Sequence, residues 1–286
     1  MQPIELAVIG GTGVYRADML EDLKEKKVLT AYGVVELMTG ICHGRRVAFL
    51  TRHGKNHSVP PHRINYQANI MALKKLGVKQ IIATTAVGSL NYQMKPMDFV
   101  LPDQFLDFTK VRKNTFFEGD GTGVVHVDVT EPYCARTRSL IEAKGKELGL
   151  PLHNGGCYVC AEGPRFETPA EIRMYKMFGG DLVGMTSVPE VVLAREAGMC
   201  YATISMVTNF AAGISEQALS HQEVLEAMAL LSGNISKLIM TLLETIPLDF
   251  NCSCAKISPE MEALLAKEAI LDTRAISKNS KIGEDS

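Results

Sequence analysis

Glu162-Gly163-Pro164-Arg165-Phe166-Glu167-Thr168 (EGPRFET) closes an apolar run, Leu152–Ala161, that reads as a strand, and a helical pattern follows from Thr168. Strand, polar junction, helix is the repeating unit of an α/β sheet, and ligands of such sheets bind where strands end. The junction carries an acid, an arginine, an aromatic ring and a second acid. Phe166 can lie against a flat heterocycle while Glu167 accepts an N–H from it. Glu167 equally fits a helix-start acid matched to the helix dipole, and this stretch alone does not separate the two.

The same unit recurs outward. Downstream, a helix over Pro169–Phe178 precedes a strand over Asp181–Met185 that ends at Met185-Thr186. A short helix, Pro189–Ala197, leads to an apolar strand, Cys200–Val207, that ends at Thr208-Asn209. Ser220-His221-Gln222-Glu223 matches a capping box opening a long helix to about Leu243. Upstream, Glu5–Gly10 is a short apolar strand running into Gly10-Gly11-Thr12-Gly13. Backbone N–H groups of such a turn, with the Thr12 hydroxyl, can approach an anion, although a plain tight turn fits as well. Arg16 stands where a dinucleotide fingerprint needs its third glycine. Strands over Val35–Leu37 and Arg46–Leu50 deliver Arg52-His53-Gly54, with His57 beyond. An arginine fork beside a histidine is an anion-binding pair, or scattered surface charge.

Asn65–Lys75 has helical spacing, and Gln80–Thr84 reads as a strand entering a small-residue turn, Thr85-Ala86-Val87-Gly88-Ser89. Phe99–Pro102 is a short strand, Phe105–Asp120 a long polar loop and Pro132–Leu148 a helix. Asp22–Lys27 (DLKEKK) is a charge run and reads as a solvated face. Alternating strands and helices, without repeat or linker, predict one α/β domain around a mixed sheet. We place it at 1–250. Residues 251–286 form a C-terminal extension, partly helical and then, from about Asp272, polar and loosely ordered.

Composition narrows the function classes. With a formal net charge of -2 in 286 residues, no basic field invites nucleic acid or an anionic membrane. Trp is absent and aromatics make up 6%, which argues against single-strand stacking platforms. No apolar run reaches the roughly 18 residues of a membrane helix, and no signal-peptide pattern opens the chain. Seven cysteines, an odd number, fit a reducing cytoplasm. Cys157 and Cys160 lie in a strand pattern, on opposite faces, and make a poor metal clip. Cys252-Ser253-Cys254 reads as two ordinary thiols, a strained local disulfide being the alternative. No His/Cys cluster completes a metal site in this reading, so no metal is expected.

These residues resemble the trimeric purine nucleoside phosphorylase and methylthioadenosine phosphorylase family. The match runs in order over residues 4–247: AVIGGTG, TRHG, PHRINYQANI, TTAVGSL, EGPRFET, GMTSVPEVVLAREAG and the strand ending in Thr208-Asn209. RHG and NYQANI look most like the methylthioadenosine branch. The resemblance implies a mixed central sheet, partly closed and barrel-like, flanked by helices. It implies phosphorolysis, in which phosphate attacks C1′ of a purine nucleoside and the base leaves. Thr12, Arg52, His53, Thr85, Ala86 and Thr186 would hold phosphate, Met185 would lie under the ribose and Phe166 against the base. Asn209, followed by Phe210 and Ala211, would meet the purine, with Asn209, Arg52 and His53 the catalytic group. Phosphate is then a co-substrate, and no metal or organic cofactor is expected. A homotrimer, or a dimer of trimers, is also implied, with His126 reaching the neighbouring subunit's sugar pocket.

Two departures from the adenine-specific branch set the expected substrate. That branch has a small residue where this chain has Glu167, and aspartates in the segment that here reads Asn209-Phe210-Ala211. Members acting on 6-oxopurines resemble this chain at both places. Hypoxanthine and guanine carry N1–H, which an ionised Glu167 can accept, whereas adenine N1 is itself an acceptor. Asn209 can donate to O6 or N7. Sites built on such bonds reject the mismatched analogue by roughly 10⁴-fold or more. His221 stands where methylthioadenosine phosphorylases carry an apolar residue, and it resembles the histidine that contacts a ribose 5′-hydroxyl. The alternative reading is the first residue of a capped helix with no further role. The expected substrates are inosine and guanosine. A methylthioinosine (or methylthioadenosine) phosphorylase, a non-catalytic nucleoside-binding protein and a nucleoside hydrolase are the competing readings.

Overall fold

The computed structural model describes residues 3–10, 20–54, 58–119, 121–215, 221–249 and 251–282, and for 221 and 272–282 the backbone course alone. Thr12, His57 and Ser220 lie outside the described residues.

The sheet is built around β1 (Leu6–Gly10), β4 (Arg45–Thr51) and β5 (Gln80–Ser89). β1 is parallel to both neighbours and every residue of LAVIG is buried. An unbroken apolar run is what a strand covered on both faces needs. Its side chains alternate between two cores. Ala7 and Ile9 join a cluster with α1 (Tyr66–Lys75) and α4 (Ser187–Glu196). Leu6 and Val8 join one with α2 (Ala135–Glu147) and α5 (His221–Thr245). β2 (Glu21–Thr30) and β3 (Gly33–Cys42) extend the sheet antiparallel beyond β4. His43 and Gly44, with φ of 48° and 74°, make the two-residue β3–β4 turn, whose geometry needs positive φ at both positions. The DLKEKK run is the exposed edge strand β2, and its charges guard an open strand edge.

The remaining strands are β6 (Phe99–Leu101), β7 (Gln104–Phe108), β8 (Leu152–Asn154), β9 (Cys157–Ala161), β10 (Leu182–Gly184) and β11 (Cys200–Phe210). One path runs β2-β3-β4-β1-β5-β10-β9-β7; β11 pairs β5 and β6, and β6 pairs β8. β5 therefore has three partners. β1 covers Gln80–Ala83, β10 meets Gly88 and Ser89 antiparallel, and β11 runs parallel along its whole length. The sheet is mixed, as expected. It is open and branched at β5, not a closed barrel, because the strand edge that β1 leaves is taken up by β10.

Four local readings are corrected. Thr85–Ser89 is not a turn but the second half of β5, held by β11 with a bulge between Val207 and Asn209. Leu152–Ala161 is two strands, parted by Gly155 and Gly156 at φ 122° and 125°. The loop at Phe105–Asp120 begins with β7, parallel to β9. α5 also qualifies the statement on apolar runs. By length and composition it could cross a membrane, since its polar interruptions around Ser232–Ser236 carry no charge. Here Leu231, Ile235, Leu238 and Leu242 pack in the core, while Leu225 and Leu230 are exposed.

The C-terminal α6 (Pro259–Ile282) continues through Asp272, where a loose tail is expected from composition. Met261 and Leu264 enter the core. Glu268, buried, accepts the Ala31 N–H at 2.9 Å and the Lys75 ammonium at 3.1 Å, tying α6 to the β2–β3 turn and to α1. Removing one partner of a buried pair leaves the other charge uncompensated. Glu268→Ala is expected to lower unfolding stability by about 3 kcal/mol, read as a fall in the urea midpoint. An unchanged midpoint would show that α6 contributes nothing there.

Candidate active site

A cavity of about 370 Å³ opens at the C-terminal ends of β5, β10 and β11, within the range of about 300–1,000 Å³ usual for small-molecule sites. The end of β4, the loop after β9 and the first turns of α5 complete its wall.

One end is polar. β4 stops at Thr51, and Arg52 is fixed by its own N–H bonding the Gly10 carbonyl at 3.1 Å. Its guanidinium is buried and makes a bidentate pair with Glu190 of α4, Nε to Oε2 at 2.7 Å and Nη2 to Oε1 at 2.8 Å. Nη1 donates to the Thr84 carbonyl at 2.9 Å, and the Tyr201 hydroxyl donates to Glu190 at 2.8 Å. Burial opposes the Arg52 charge, but Glu190 outweighs it and holds the group firmly protonated. Three of its five N–H groups are thus engaged internally. His53 Nδ1 bonds the Val59 carbonyl at 2.9 Å. A carbonyl only accepts, so Nδ1 carries hydrogen and Nε2 becomes a donor when the ring is cationic. Thr85 Oγ1 shares a hydrogen with Ser205 Oγ at 3.0 Å, and Thr84 Oγ1 is buried without a partner among the described residues.

The other end can take a flat ring. Phe166 is 39% exposed over the cavity mouth. α3 (Pro169–Met177) starts immediately after Glu167 with a full capping box between Thr168 and Glu171. The helix start is therefore served by Glu171, and Glu167 is released from that duty. Glu167 Oε1 is buried with no hydrogen-bond partner among the described residues. Burial raises its carboxyl above the ordinary carboxylate range. Asn209 sits past the β11 bulge. Its Oδ1 accepts the Thr208 hydroxyl at 2.7 Å and its Nδ2 donates to the Phe210 carbonyl at 2.8 Å, leaving one amide N–H. Gly88 makes room for that amide, because a Cβ there would stand 3.3 Å from Nδ2. Between the two ends lies Met185. Gly163, at φ 69°, admits it, since a Cβ there would meet Met185 Sδ at 2.6 Å.

The sequence-predicted residues Arg52, His53, Thr85, Ala86, Phe166, Glu167, Met185, Thr186, Asn209 and Ala211 line this one cavity. Phe210 does not; its ring packs on Tyr92 with centroids 5.8 Å apart. His126 is exposed and does not line the cavity of its own chain. His221 opens α5 beside the lining residues Val224, Leu225 and Met228. Two functional residues escape the sequence reading. Glu190 looks like an ordinary acid in a helical pattern. Arg112 falls in the segment read as a loop, yet its guanidinium donates to the carbonyls of Met185 at 2.7 Å, Val188 at 2.8 Å and Glu162 at 2.7 Å. Glu162 in turn accepts from Arg112 Nε at 3.3 Å and from the Lys110 N–H.

Comparison with known proteins identifies the family. The model of the Phosphorylase superfamily matches residues 5–244. A probable 6-oxopurine nucleoside phosphorylase of Dictyoglomus turgidum is 55% identical over 251 residues, 88% of this chain and 95% of that protein. The 6-oxopurine nucleoside phosphorylase of Pyrococcus furiosus is 52% identical over 254 residues, 87% of this chain and 96% of that protein. A crystal structure of a methylthioadenosine phosphorylase from an Antarctic soil metagenomic library superposes with a TM-score of 0.83 at 35% identity, over 93% of this chain and 99% of that one. With a family match over residues 5–244 and relatives above half identity, the chain belongs to the phosphorylase superfamily, among its purine nucleoside phosphorylases.

Proposed function

We propose that the chain phosphorolyses 6-oxopurine nucleosides. Phosphate attacks C1′ of inosine or guanosine; the C1′–O bond forms as the C1′–N9 bond breaks, giving α-ribose 1-phosphate and the purine. The observation that carries the reading is Glu167 Oε1, buried and unpartnered in the cavity wall that also holds Asn209. A purine N1–H satisfies that oxygen, whereas adenine N1 sets a lone pair against it.

The remaining residues take roles in that reaction. The two N–H groups of Arg52 not used by Glu190 and Thr84, His53, the Thr85 hydroxyl and the backbone at Ala86 and Thr186 hold the phosphate, with Thr12 joining from outside the described residues. Glu190 neutralises Arg52, so phosphate is met by fixed donors more than by net charge. The transition state puts positive charge on the sugar, facing the phosphate, and negative charge on the departing purine. The free N–H of Asn209 points its partial positive charge at that growing anion on N7 or O6, in a site already oriented before reaction. Phosphate serves as co-substrate and no organic cofactor enters. A homotrimer with His126 supplied by a neighbour is part of the proposal; exposed Val124, Leu225 and Leu230 supply apolar surface for subunit contact.

One observation favours a second reading. Val224, Leu225 and Met228 give the sugar end an apolar lining on the α5 side, which suits a 5′-methylthio group, so methylthioinosine is the alternative substrate.

A panel of inosine, guanosine, adenosine, methylthioadenosine and methylthioinosine, each with and without phosphate, tests both. Phosphate-dependent release of hypoxanthine and guanine, with the two adenine nucleosides at least about 10⁴-fold poorer in kcat/KM, is expected. Comparable adenosine turnover would sink the proposal, and a preference for methylthioinosine would replace it with the alternative.

Glu167→Gln removes a charge-assisted bond worth about 1.5–3 kcal/mol, and should lower inosine kcat/KM by roughly 10- to 100-fold. The pH profile adds a second check. Wild type needs the ionised carboxylate, so activity is full above the raised pKa and falls as pH drops through it. Below the pH at which phosphate itself gains a proton, wild type should fall by one proton more steeply than Glu167→Gln. Parallel acid limbs would exclude Glu167 as the reader of N1–H.

A further inference from the structure

The fold gathers four thiols that no step of the proposed reaction uses. Cys134 heads α2, Cys200 is the first residue of β11, and Cys252 precedes, and Cys254 lies within, a short 3₁₀ turn at Ser253–Ala255. Their sulfurs all lie within 4.8 Å of one another. This corrects the expectation that no cysteine cluster forms: the ligands come from three distant segments, and spacing within any one of them is uninformative.

We propose that Cys134, Cys200, Cys252 and Cys254 form a tetrathiolate site for a structural zinc-class cation. A tetrahedron with metal–sulfur bonds of about 2.3 Å has sulfur–sulfur edges of about 3.8 Å. The Cys134–Cys252 and Cys252–Cys254 sulfur separations are 3.6 and 3.4 Å, near such an edge and well beyond a covalent bond. All seven cysteines are free thiols. Cys134, Cys200 and Cys254 are at most 4% exposed, so a bound cation is closed off from substrate and water. Four thiolates with no open position make a structural site, not a catalytic one. Cys134 stands at a helix N-terminus, where the dipole favours a thiolate.

The backbone is shaped for the same convergence. Gly198, at φ 65°, lies beneath the segment after the second cysteine pair. A Cβ there would meet Ile257 Cγ2 at 2.3 Å and the Ala255 carbonyl oxygen at 3.2 Å. The chain is thereby drawn down onto the start of β11, where the Cys134 N–H also bonds the Tyr201 carbonyl at 2.8 Å. The cation would staple the C-terminal extension to the root of the strand whose far end carries Asn209.

Elemental analysis of the full chain, purified under reductant and dialysed against zinc, tests this. About one zinc per chain is expected, and cobalt(II) in its place should give the near-ultraviolet sulfur-to-cobalt charge transfer and strong red ligand-field bands of a tetrahedral thiolate site. Cys252→Ser, at the half-buried ligand least demanding of the core, should abolish both signatures, while Cys157→Ser, outside the cluster, keeps them. Loss of bound zinc to a chelator should lower Tm in wild type and not in Cys252→Ser. Wild-type protein that binds no zinc or cobalt with its thiols reduced overturns the proposal. So does an intact mass showing these four cysteines joined as disulfides. The wild-type measurements decide the matter even if a variant fails to fold.

Discussion

Arg112 holds the two halves of the site in one frame. Its guanidinium lies between the ends of β9 and β10, donating to carbonyls at Glu162, Met185 and Val188. The Glu162 and Met185 carbonyls follow directly on the ends of β9 and β10, and Val188 has non-helical backbone in the first turn of α4; there neither ladder nor helix supplies donors, and buried acceptors must be paired elsewhere. A single planar fork does so for both strands at once, which a lysine could not. The segment carrying Phe166 and Glu167 leaves from one of these ends and the Met185-Thr186 pair from the other. The proposed base reader, ribose platform and phosphate ligand are therefore set relative to one another by one cation that takes no part in holding the proposed substrate.

Charge is managed differently at the two ends of the cavity. At the phosphate end, a buried carboxylate already answers Arg52, so the arginine is oriented before any ligand arrives. Such a bidentate pair costs desolvation of both ions, and its gain is a fork that cannot wander. At the base end the reverse holds. Glu167 is half-buried, its Oε1 has no hydrogen-bond partner among the described residues, and burial outweighs nearby Arg165, which disfavours its ionised form until a ligand N–H arrives. An unsatisfied acceptor in an apolar wall discriminates more by what it penalises than by what it binds.

Much of this arrangement was legible in the chain. The predicted strand ends at Arg52-His53, Phe166-Glu167, Met185-Thr186 and Thr208-Asn209 do reach the cavity, because strand ends are local events written in apolar runs and small residues. The capping box at Thr168 and Glu171 is equally local but was not read from the sequence; the structure shows it, and it resolves the ambiguity over Glu167 by supplying the helix start from another acid. What could not be read depends on contacts between distant segments. The Thr85–Ser89 stretch has turn-like composition and becomes a strand because β11 pairs with it. Glu190 and Arg112 look like surface charges until packing buries them against partners 138 and 50 residues away. The four cysteines belong to the same class.

β11 relates the thiol cluster to the reaction. It is a single strand from Cys200 to Phe210, buried except at its last two residues and parallel to β5 throughout. Its root is among the thiols and its tip, past the bulge at Thr208, presents Asn209. A pleated strand paired along its length transmits displacement with little slack, since shifting it by one residue would reverse which face each side chain meets. Fixing the root therefore fixes the tip. In the proposed reaction Asn209 acts through one remaining N–H, and a donor so limited works only if it does not have to search for its acceptor. On this view the rigidity the purine end requires is supplied at the opposite end of the strand, outside the cavity, where no ligand competes for it.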